Sequence, residues 1–212
     1  MNLSVQQDER VTAVAESPPL ADPASLRANT YGLLALLLSR PPLAETLSLL
    51  QQIRVPEQAG DGLELSWKML QLASEHVAED ALDNEFHACF IGIGRGELVP
   101  YGSWYMTGML MDRPLALLRQ DLAALGIERQ QGISEPEDHV AAVCDAMSLL
   151  VRDAADDSMS RQRRFFDSHI APWMGRFFKD LQVAKTAGFY RVVGRLGEQF
   201  IAFEQQYLSM AD

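Results

Sequence analysis

Apolar residues recur along the chain at steps of three and four, the spacing that places side chains on one face of an α-helix. The clearest stripes are Leu63, Trp67, Leu70 and Val77; Leu115, Leu118, Leu122 and Leu125; Val140, Val143, Cys144, Met147 and Val151; Ile170, Trp173, Met174, Phe177, Phe178 and Leu181; and Phe189, Val192, Val193, Leu196, Phe200 and Phe203. No segment alternates with the period of two that a half-buried strand requires. The pattern predicts an all-α fold: a single helical-bundle-like globule of about ten helices, in two halves joined by a hinge.

Helix-breaking residues predict where several helices end. Pro41 and Pro42 should stop the first helix, because proline cannot continue the hydrogen-bond ladder. Gly126 follows the leucine stripe that ends at Leu125, where a left-handed cap residue is favoured. Ser134, with Glu137 three positions later, matches a capping box, and Pro136 would then fall in the first helical turn.

Two interruptions divide the chain. Five of the fourteen glycines lie between Gly92 and Gly108, which predicts an irregular loop that carries aromatic residues. A second break precedes the capping box. The predicted organisation is a disordered tail at 1–23, an N-terminal helical half at 24–126 with the glycine-rich loop 92–108, a hinge at 127–134 and a C-terminal helical half at 135–212.

The charge and composition of the chain limit the classes of partner that it can bind. The 212 residues carry a formal net charge of -11, which argues against nucleic acid and favours a basic partner. Cys89 and Cys144 sit in apolar helical patterns without CxxC spacing, so buried reduced thiols are expected. The first 23 residues lack the basic segment followed by an apolar segment that is typical of an export signal. The longest apolar run, Tyr31 to Leu38, is too short to span a bilayer. We therefore expect a cytoplasmic protein without stable membrane insertion.

The sequence contains no complete motif for a phosphate-binding or metal site. The Gly92-x-Gly94-x-Gly96 run resembles a phosphate-binding loop, but it lacks the strand before it and the Gly-Lys-Ser/Thr after it that such loops need. The four histidines are His76, His87, His139 and His169, and their spacing matches neither a zinc site nor a Glu-x-x-His pair. We expect no metal, no cofactor and no catalytic residue, with His76 and His87 structural or simply exposed.

The pentad Glu135-Pro136-Glu137-Asp138-His139 is more informative. Carboxylates in the first turn of a helix are favoured by the macrodipole without any function. At a junction between two helical halves, however, Asp138 and His139 can also face a groove in which a peptide lies. On composition and spacing alone the two interpretations stay open.

Several motifs, in order along the chain, resemble one known family. They are Phe90-Ile-Gly92, Pro100-Tyr-Gly-Ser103, the pentad Glu135–His139, His169-x-x-Pro172-Trp173-x-x-Arg176-Phe177 and Phe189-Tyr190-Arg191-x-x-Gly194. Over roughly Ala24 to Leu208 the chain is similar to the TorD/DmsD family of redox-enzyme maturation chaperones. Only the pentad is specific by itself.

This resemblance implies an all-helical chaperone, not an enzyme. It would bind the twin-arginine leader, the apo form, or both, of a molybdopterin-containing oxidoreductase, and hold it until cofactor insertion and export. Carried over by position, the resemblance implies that the leader-binding residues are Phe86, Phe90, Pro100, Tyr101, Glu135, Pro136, Asp138 and His139. Phe86, Cys89 and Gly94 depart from side chains that some relatives carry, which leaves the client open.

The chemistry of such a leader agrees with these residues. Two guanidiniums followed by an apolar helical stretch call for carboxylates beside an apolar groove. We expect Asp138 to accept a guanidinium, and Phe90, Tyr101 and Trp104 to pack on the peptide or stack on arginine. On this view Asp138→Ala weakens leader binding without unfolding the protein, and His139 adds pH sensitivity.

Two other functions stay open from the sequence. One is a general helical scaffold for basic or amphipathic peptides, and the other is a nucleotide-binding enzyme that uses the 92–96 glycine loop. If the two halves exchange between chains, a monomer would give domain-swapped dimers.

Overall fold

The computed structural model describes residues 22–55, 60, 62–92, 96–129, 132, 135–155 and 157–210. Within these ranges the chain forms ten α-helices and one π-helical turn, His87–Ile91. The helices are α1 Pro23–Ser39, α2 Ala44–Gln51, α3 Leu63–His76, α4 Glu79–Phe86, α5 Gly102–Thr107, α6 Arg113–Ala124, α7 Val140–Arg152, α8 Ser158–His169, α9 Met174–Val183 and α10 Phe189–Ser209. The predicted all-α fold is confirmed.

The first helix begins before the predicted end of the tail. The Asp22 carboxylate accepts hydrogen bonds from the backbone N–H groups of Ala24 and Ser25, at 2.9 and 3.2 Å, and Pro23 occupies the first helical position. Aspartate before and proline at a helix start satisfy donors that would otherwise be orphaned. Asp22 and Pro23 are therefore start signals, not part of the tail, and residues 1–21 of the predicted tail lie outside the described residues.

Most predicted helix ends hold. α1 ends at Ser39, just before Pro41 and Pro42, and Gly126 follows α6 with φ +70°. The stripe from Ile170 to Leu181 instead crosses a helix boundary, because α8 ends at His169 and a turn separates it from α9. The indole N–H of Trp173 closes that turn by donating to the His169 carbonyl, at 2.7 Å.

The predicted capping box does not start α7. The helix begins at Val140 with His139 as its cap, while Pro136 and Glu137 lie in the preceding turn. Glu137 instead pairs with Arg119 at 2.8 Å, and Ser134 lies outside the described residues. The Glu137 carboxylate thus forms a tertiary ion pair, whereas the sequence pattern predicted that it would bond within a capping box.

The predicted loop 92–108 is only partly irregular. Its last third forms α5, and the next residue, Gly108, has φ +78°, a conformation that glycine adopts without strain. Residues 93–95, at the centre of the glycine run, lie outside the described residues.

Helices from both sides of the predicted hinge share one hydrophobic core. α1 packs against α7, and α10 packs against both α9 and α3. Cys89 and Cys144 are buried free thiols, as predicted. That residues 127–134 act as a hinge stays a prediction. No described helix combines the length and the apolar character needed to cross a bilayer.

Candidate functional site

The loop before α5 and the pentad before α7 pair through their backbones. The N–H of Gly102 donates to the carbonyl of Asp138, and the N–H of Val140 donates to the carbonyl of Pro100, each at 2.8 Å. Tyr101 and His139 face each other across this short antiparallel bridge. Two segments that are 35 residues or more apart in sequence therefore meet at one place, as the resemblance implied.

Asp138 is a buried structural acceptor at this junction. Its side chain is 3% exposed, and one carboxylate oxygen accepts from the Ser103 N–H at 2.8 Å and from the Ser103 hydroxyl. The other oxygen is buried without a hydrogen-bond partner among the described residues. The carboxylate faces the start of α5 and is not part of the groove lining, and that Asp138 accepts a leader guanidinium stays a prediction.

His139 caps α7 with its imidazole. The Nδ1 atom accepts from the N–H of Ala141 at 3.2 Å, so the ring is held as the neutral tautomer whose proton is on Nε2. Burial lowers the pKa of His139 from its usual 6.5, and the nearby carboxylates of Glu135 and Asp138 oppose that shift. The ring also packs edge-on against Tyr101, with 5.1 Å between centroids.

Tyr101 links this junction to an exposed carboxylate. Its hydroxyl donates to the Glu135 carboxylate. Burial, and next the hydrogen bond and charge of Glu135, raise the pKa of Tyr101, so the hydroxyl stays a donor at neutral pH. Glu135 is exposed, and among the described residues this hydroxyl is its hydrogen-bonding partner.

The π-helical turn positions two aromatic rings beside the junction. Phe86 and Phe90 lie on either side of its start, with ring centroids 5.1 Å apart. Gly96 returns the chain against this turn, and a Cβ on it would lie 2.4 Å from the carbonyl carbon of Phe90. Glycine is required there because the two backbones touch. Single π turns occur often at functional sites.

These parts enclose a groove of about 570 Å³. Its lining consists of Gly32, Ala35, Leu36 and Ser39 from α1; Phe86, Phe90 and Ile91 at the π turn; Pro100 and Tyr101; and Glu135, His139, Ala141, Ala142 and Asp145 at and before the start of α7. We call it the pentad groove. Among the described residues, the lining is mainly apolar, carries two carboxylates and includes no lysine or arginine.

The pentad groove brings together six of the nine predicted binding residues. They are Phe86, Phe90, Pro100, Tyr101, Glu135 and His139. Asp138 lies behind the wall, Pro136 is outside the lining, and Trp104 lines a separate cavity of about 410 Å³ with Arg176 and Asp180. Whether these residues bind a client stays a prediction.

The sequence reasoning missed the α1 wall and the first turns of α7. Ala141, Ala142 and Asp145 lie at helical spacing on one face of α7, and small residues on α1 leave room opposite them. The spacing alone could have flagged Asp145 as a polar residue beside this small-residue face. Only the packing of α1 on α7 shows that this face lines a groove.

A second groove lies elsewhere, between α1, α3 and α10. Its volume is about 500 Å³, and apolar residues such as Leu26, Trp67 and Phe203 line most of it. Arg27 and Arg54 also line it. This second groove contains none of the predicted binding residues.

Metal and nucleotide chemistry find little support in the described ranges. No cluster of three or more metal-ligating side chains is present there. His76 and His87 are exposed, and the Nδ1 atom of each lies 2.8 Å from the backbone carbonyl oxygen four residues earlier. These positions agree with the expectation that both histidines are structural or simply exposed. The described residues before the glycine run form a π turn, where a phosphate-binding loop has a strand.

Comparison with known proteins points to one family. The family model described as nitrate reductase delta subunit matches residues 57–179, more than half of the chain. The chain is 26% identical over 149 residues to the chaperone protein TorD of Vibrio atlanticus, covering 66% of this chain and 69% of that one. It is 23% identical over 185 residues to chaperone protein TorD of Actinobacillus pleuropneumoniae, covering 83% and 89%.

A solved structure shows the same fold. A protein of Archaeoglobus fulgidus, described as a redox enzyme maturation protein, superposes with a TM-score of 0.56 at 16% identity. The superposition covers 84% of this chain and 94% of the other.

Proposed function

Because the chain belongs to the nitrate reductase delta subunit family, which includes the TorD redox-enzyme maturation chaperones, we propose that its pentad groove binds the twin-arginine leader of a client enzyme. The observation that carries this proposal is the composition of the groove. Carboxylates and aromatic walls line the same cavity, and among the described lining residues there is no lysine or arginine. Such a site favours a peptide that supplies both positive charge and apolar surface.

The cationic part of the leader meets Glu135. This carboxylate is exposed at the groove and is held in place by the Tyr101 hydroxyl. A guanidinium that pairs with Glu135 lies beside the Tyr101 ring, where stacking adds to the ion pair. Glu135 therefore takes the role that the sequence first suggested for Asp138.

The apolar part of the leader packs on the π turn and its neighbours. Phe86, Phe90, Ile91 and Pro100 form the apolar lining on this side, and Ile91 is 52% exposed although its side chain is large. Apolar side chains of a bound peptide would remove this surface from water.

The second groove fits an arginine-bearing peptide less well. Its lining contains Arg27, Arg54 and one carboxylate, Glu64, and because Glu204 already pairs with Arg27, Arg54 is the like charge that a leader guanidinium would meet there. This difference favours the pentad groove over the second groove for the leader.

The proposed client is an apo molybdopterin-containing oxidoreductase, which the resemblance to the TorD/DmsD family implies. In this proposal the chaperone works in the cytoplasm, holds the client while its cofactor is inserted, and releases it for export. In this role the chaperone itself catalyses no reaction. Support comes from the relatives, which are named TorD chaperones, and from the solved neighbour described as a redox enzyme maturation protein.

Calorimetric titration with a synthetic leader peptide tests the proposal. We expect binding that weakens about tenfold or more when both arginines become lysines, since lysine lacks the planar fork that pairs with a carboxylate. Phe90→Ala should weaken binding of the same peptide by removing apolar contact. Equal affinity for the arginine and lysine peptides would favour the general scaffold for basic peptides instead.

Nucleotide turnover is the remaining alternative from the sequence. Gly94 and Arg95, the residues on which that idea depends, lie outside the described residues. Nucleotide hydrolysis that Arg95→Ala abolishes would establish the enzyme in place of the chaperone.

A further inference from the structure

Asp145 is a second carboxylate of the pentad groove, and neither the motifs nor the resemblance selects it. It lies on α7 and is exposed. Ala141 and Ala142, four and three residues earlier, line the groove on the same helix face. Their methyl groups are too short to cover the Asp145 carboxylate, so that carboxylate is open to a molecule in the groove.

Asp145 differs from the other carboxylates near the pentad in having no assigned partner. Glu137 is paired with Arg119, and the carboxylate of Asp138 accepts two hydrogen bonds from Ser103. Within the described ranges, Asp145 makes no hydrogen bond or ion pair, and Glu135 accepts only from Tyr101. Two groove carboxylates therefore have unused acceptor capacity.

An occupant that covers these carboxylates must bring its own positive charge. Covering an unpaired carboxylate with apolar groups is costly, because the ion loses its water and gains no partner. The part of the lining that the structure describes offers no lysine or arginine to neutralise either one. An occupant with a single cation would leave one of the two carboxylates uncompensated.

The two carboxylates are also apart along the groove. Glu135 stands before α7, beside the Tyr101 hydroxyl. Asp145 lies five residues after Val140, the first residue of the helix, which is about 7.5 Å along the axis. In an extended peptide, consecutive side chains point to opposite sides, so two adjacent arginines carry their guanidiniums apart. One carboxylate could not meet both guanidiniums, whereas two separated carboxylates can.

We propose that Asp145 is the acceptor of one leader arginine and Glu135 the acceptor of the other, so that the groove requires a pair of consecutive arginines. The assignment rests on the proposed function, and it explains why that function selects two arginines instead of one. Asp145 thus determines specificity and takes no part in folding.

Four peptides and four proteins test the assignment. The peptides carry Arg-Arg, Arg-Lys, Lys-Arg or Lys-Lys in an otherwise constant leader. The proteins are the unaltered chain, Asp145→Asn, Glu135→Gln and the control Asp167→Asn, which makes the same charge change on an exposed residue of α8 away from the groove. Each pair is titrated by calorimetry, and circular dichroism checks that the helix content is unchanged.

Asp145→Asn should bind the Arg-Arg peptide about five- to tenfold more weakly, the range for a charged hydrogen bond at a partly exposed site, while Asp167→Asn binds as the unaltered protein does. Asp145→Asn should also lose its discrimination against lysine at one leader position and keep it at the other. Glu135→Gln should show the reverse preference.

The possible outcomes distinguish a failure of the Asp145 assignment from a failure of leader binding itself. If the unaltered protein binds the Arg-Arg peptide but Asp145→Asn matches Asp167→Asn, the role of Asp145 is overturned and leader binding stands. If Asp145 couples equally to both arginines, the one-to-one assignment is overturned. If the unaltered protein does not bind the Arg-Arg peptide, the proposed function itself fails.

Discussion

His139 places a titratable ring where most helices carry a serine, threonine, aspartate or asparagine cap. Its Nδ1 must be unprotonated to accept from the Ala141 N–H, and burial lowers its pKa from 6.5. Below pH 6.5 the unfolded chain therefore takes up a proton at this residue before the folded chain does. The stability that the neutral ring contributes is present above this value and is lost as the pH falls through the lowered folded pKa.

The first prediction follows from this loss of stability at low pH. His139→Asn keeps a cap acceptor but cannot titrate, so the free energy of unfolding should fall less steeply between about pH 7 and pH 5 than in the unaltered protein. Urea denaturation at several pH values measures both slopes. Identical slopes would show that His139 does not couple to folding.

The second prediction concerns Asp138. Because its buried carboxylate accepts two hydrogen bonds from Ser103, Asp138→Ala should lower the free energy of unfolding by about 2–4 kcal/mol. This revises the expectation that the substitution spares folding. Denaturation of Asp138→Ala, Ser103→Ala and the double variant gives the coupling between the two side chains. Additive losses would rule out the assigned contact.

At the scale of elements, the site depends on how the chain returns to the π turn. The N–H groups of Glu97 and Leu98 donate to the carbonyls of Ala88 and Cys89, at 3.1 and 2.8 Å. These bonds fix the start of the segment that carries Pro100 and Tyr101 into the groove. Irregular backbone, not a helix face, therefore sets the position of this part of the groove.

The third prediction uses the close approach at Gly96. In Gly96→Ala the new Cβ would lie 2.7 Å from the Cys89 carbonyl oxygen, so the backbone must shift away from the π turn. We expect a lower free energy of unfolding and weaker leader binding. The control is Gly175→Ala on α9, where a Cβ meets nothing within 4 Å and alanine favours the helix. Equal behaviour of the two variants would contradict the assigned contact.

At the scale of the whole molecule, a buried ion pair joins the first helix to the last. Arg27 on α1 donates to both carboxylate oxygens of Glu204 on α10, at 2.6 and 2.9 Å, and the two residues are 2% and 0% exposed. The guanidinium also lies 4.3 Å from the centre of the Tyr207 ring. Since α1 forms one wall of the pentad groove, this pair helps to fix that wall.

The fourth prediction concerns this pair. Glu204→Leu should lower the free energy of unfolding by about 3–5 kcal/mol, because it leaves the Arg27 charge buried without a partner. The double variant Arg27→Met with Glu204→Leu should recover much of that loss, since no buried charge is left. Urea denaturation compares the two, and a double variant no more stable than Glu204→Leu would contradict the expectation.

The sequence by itself determined the helical class and most of the helix ends. Stripes such as Val140 to Val151 and breakers such as Pro41, Pro42 and Gly126 act within a few residues, so local physics is enough to interpret them. It also identified the two segments that meet, through their resemblance to a known family. The local sequence pattern could not show where a residue bonds to a partner far away in the chain. Glu137 forms an ion pair with Arg119, and Asp138 accepts hydrogen bonds from Ser103.

Only the tertiary structure decided which carboxylates are free to bind. Asp138 and Glu135 are three residues apart and chemically alike, yet one is buried against α5 and the other is exposed at the groove. Asp145 is an ordinary helix residue in sequence, and the packing of α1 beside α7 makes it part of the groove. Burial and the presence of a partner depend on contacts between residues far apart in the chain, which no local pattern encodes.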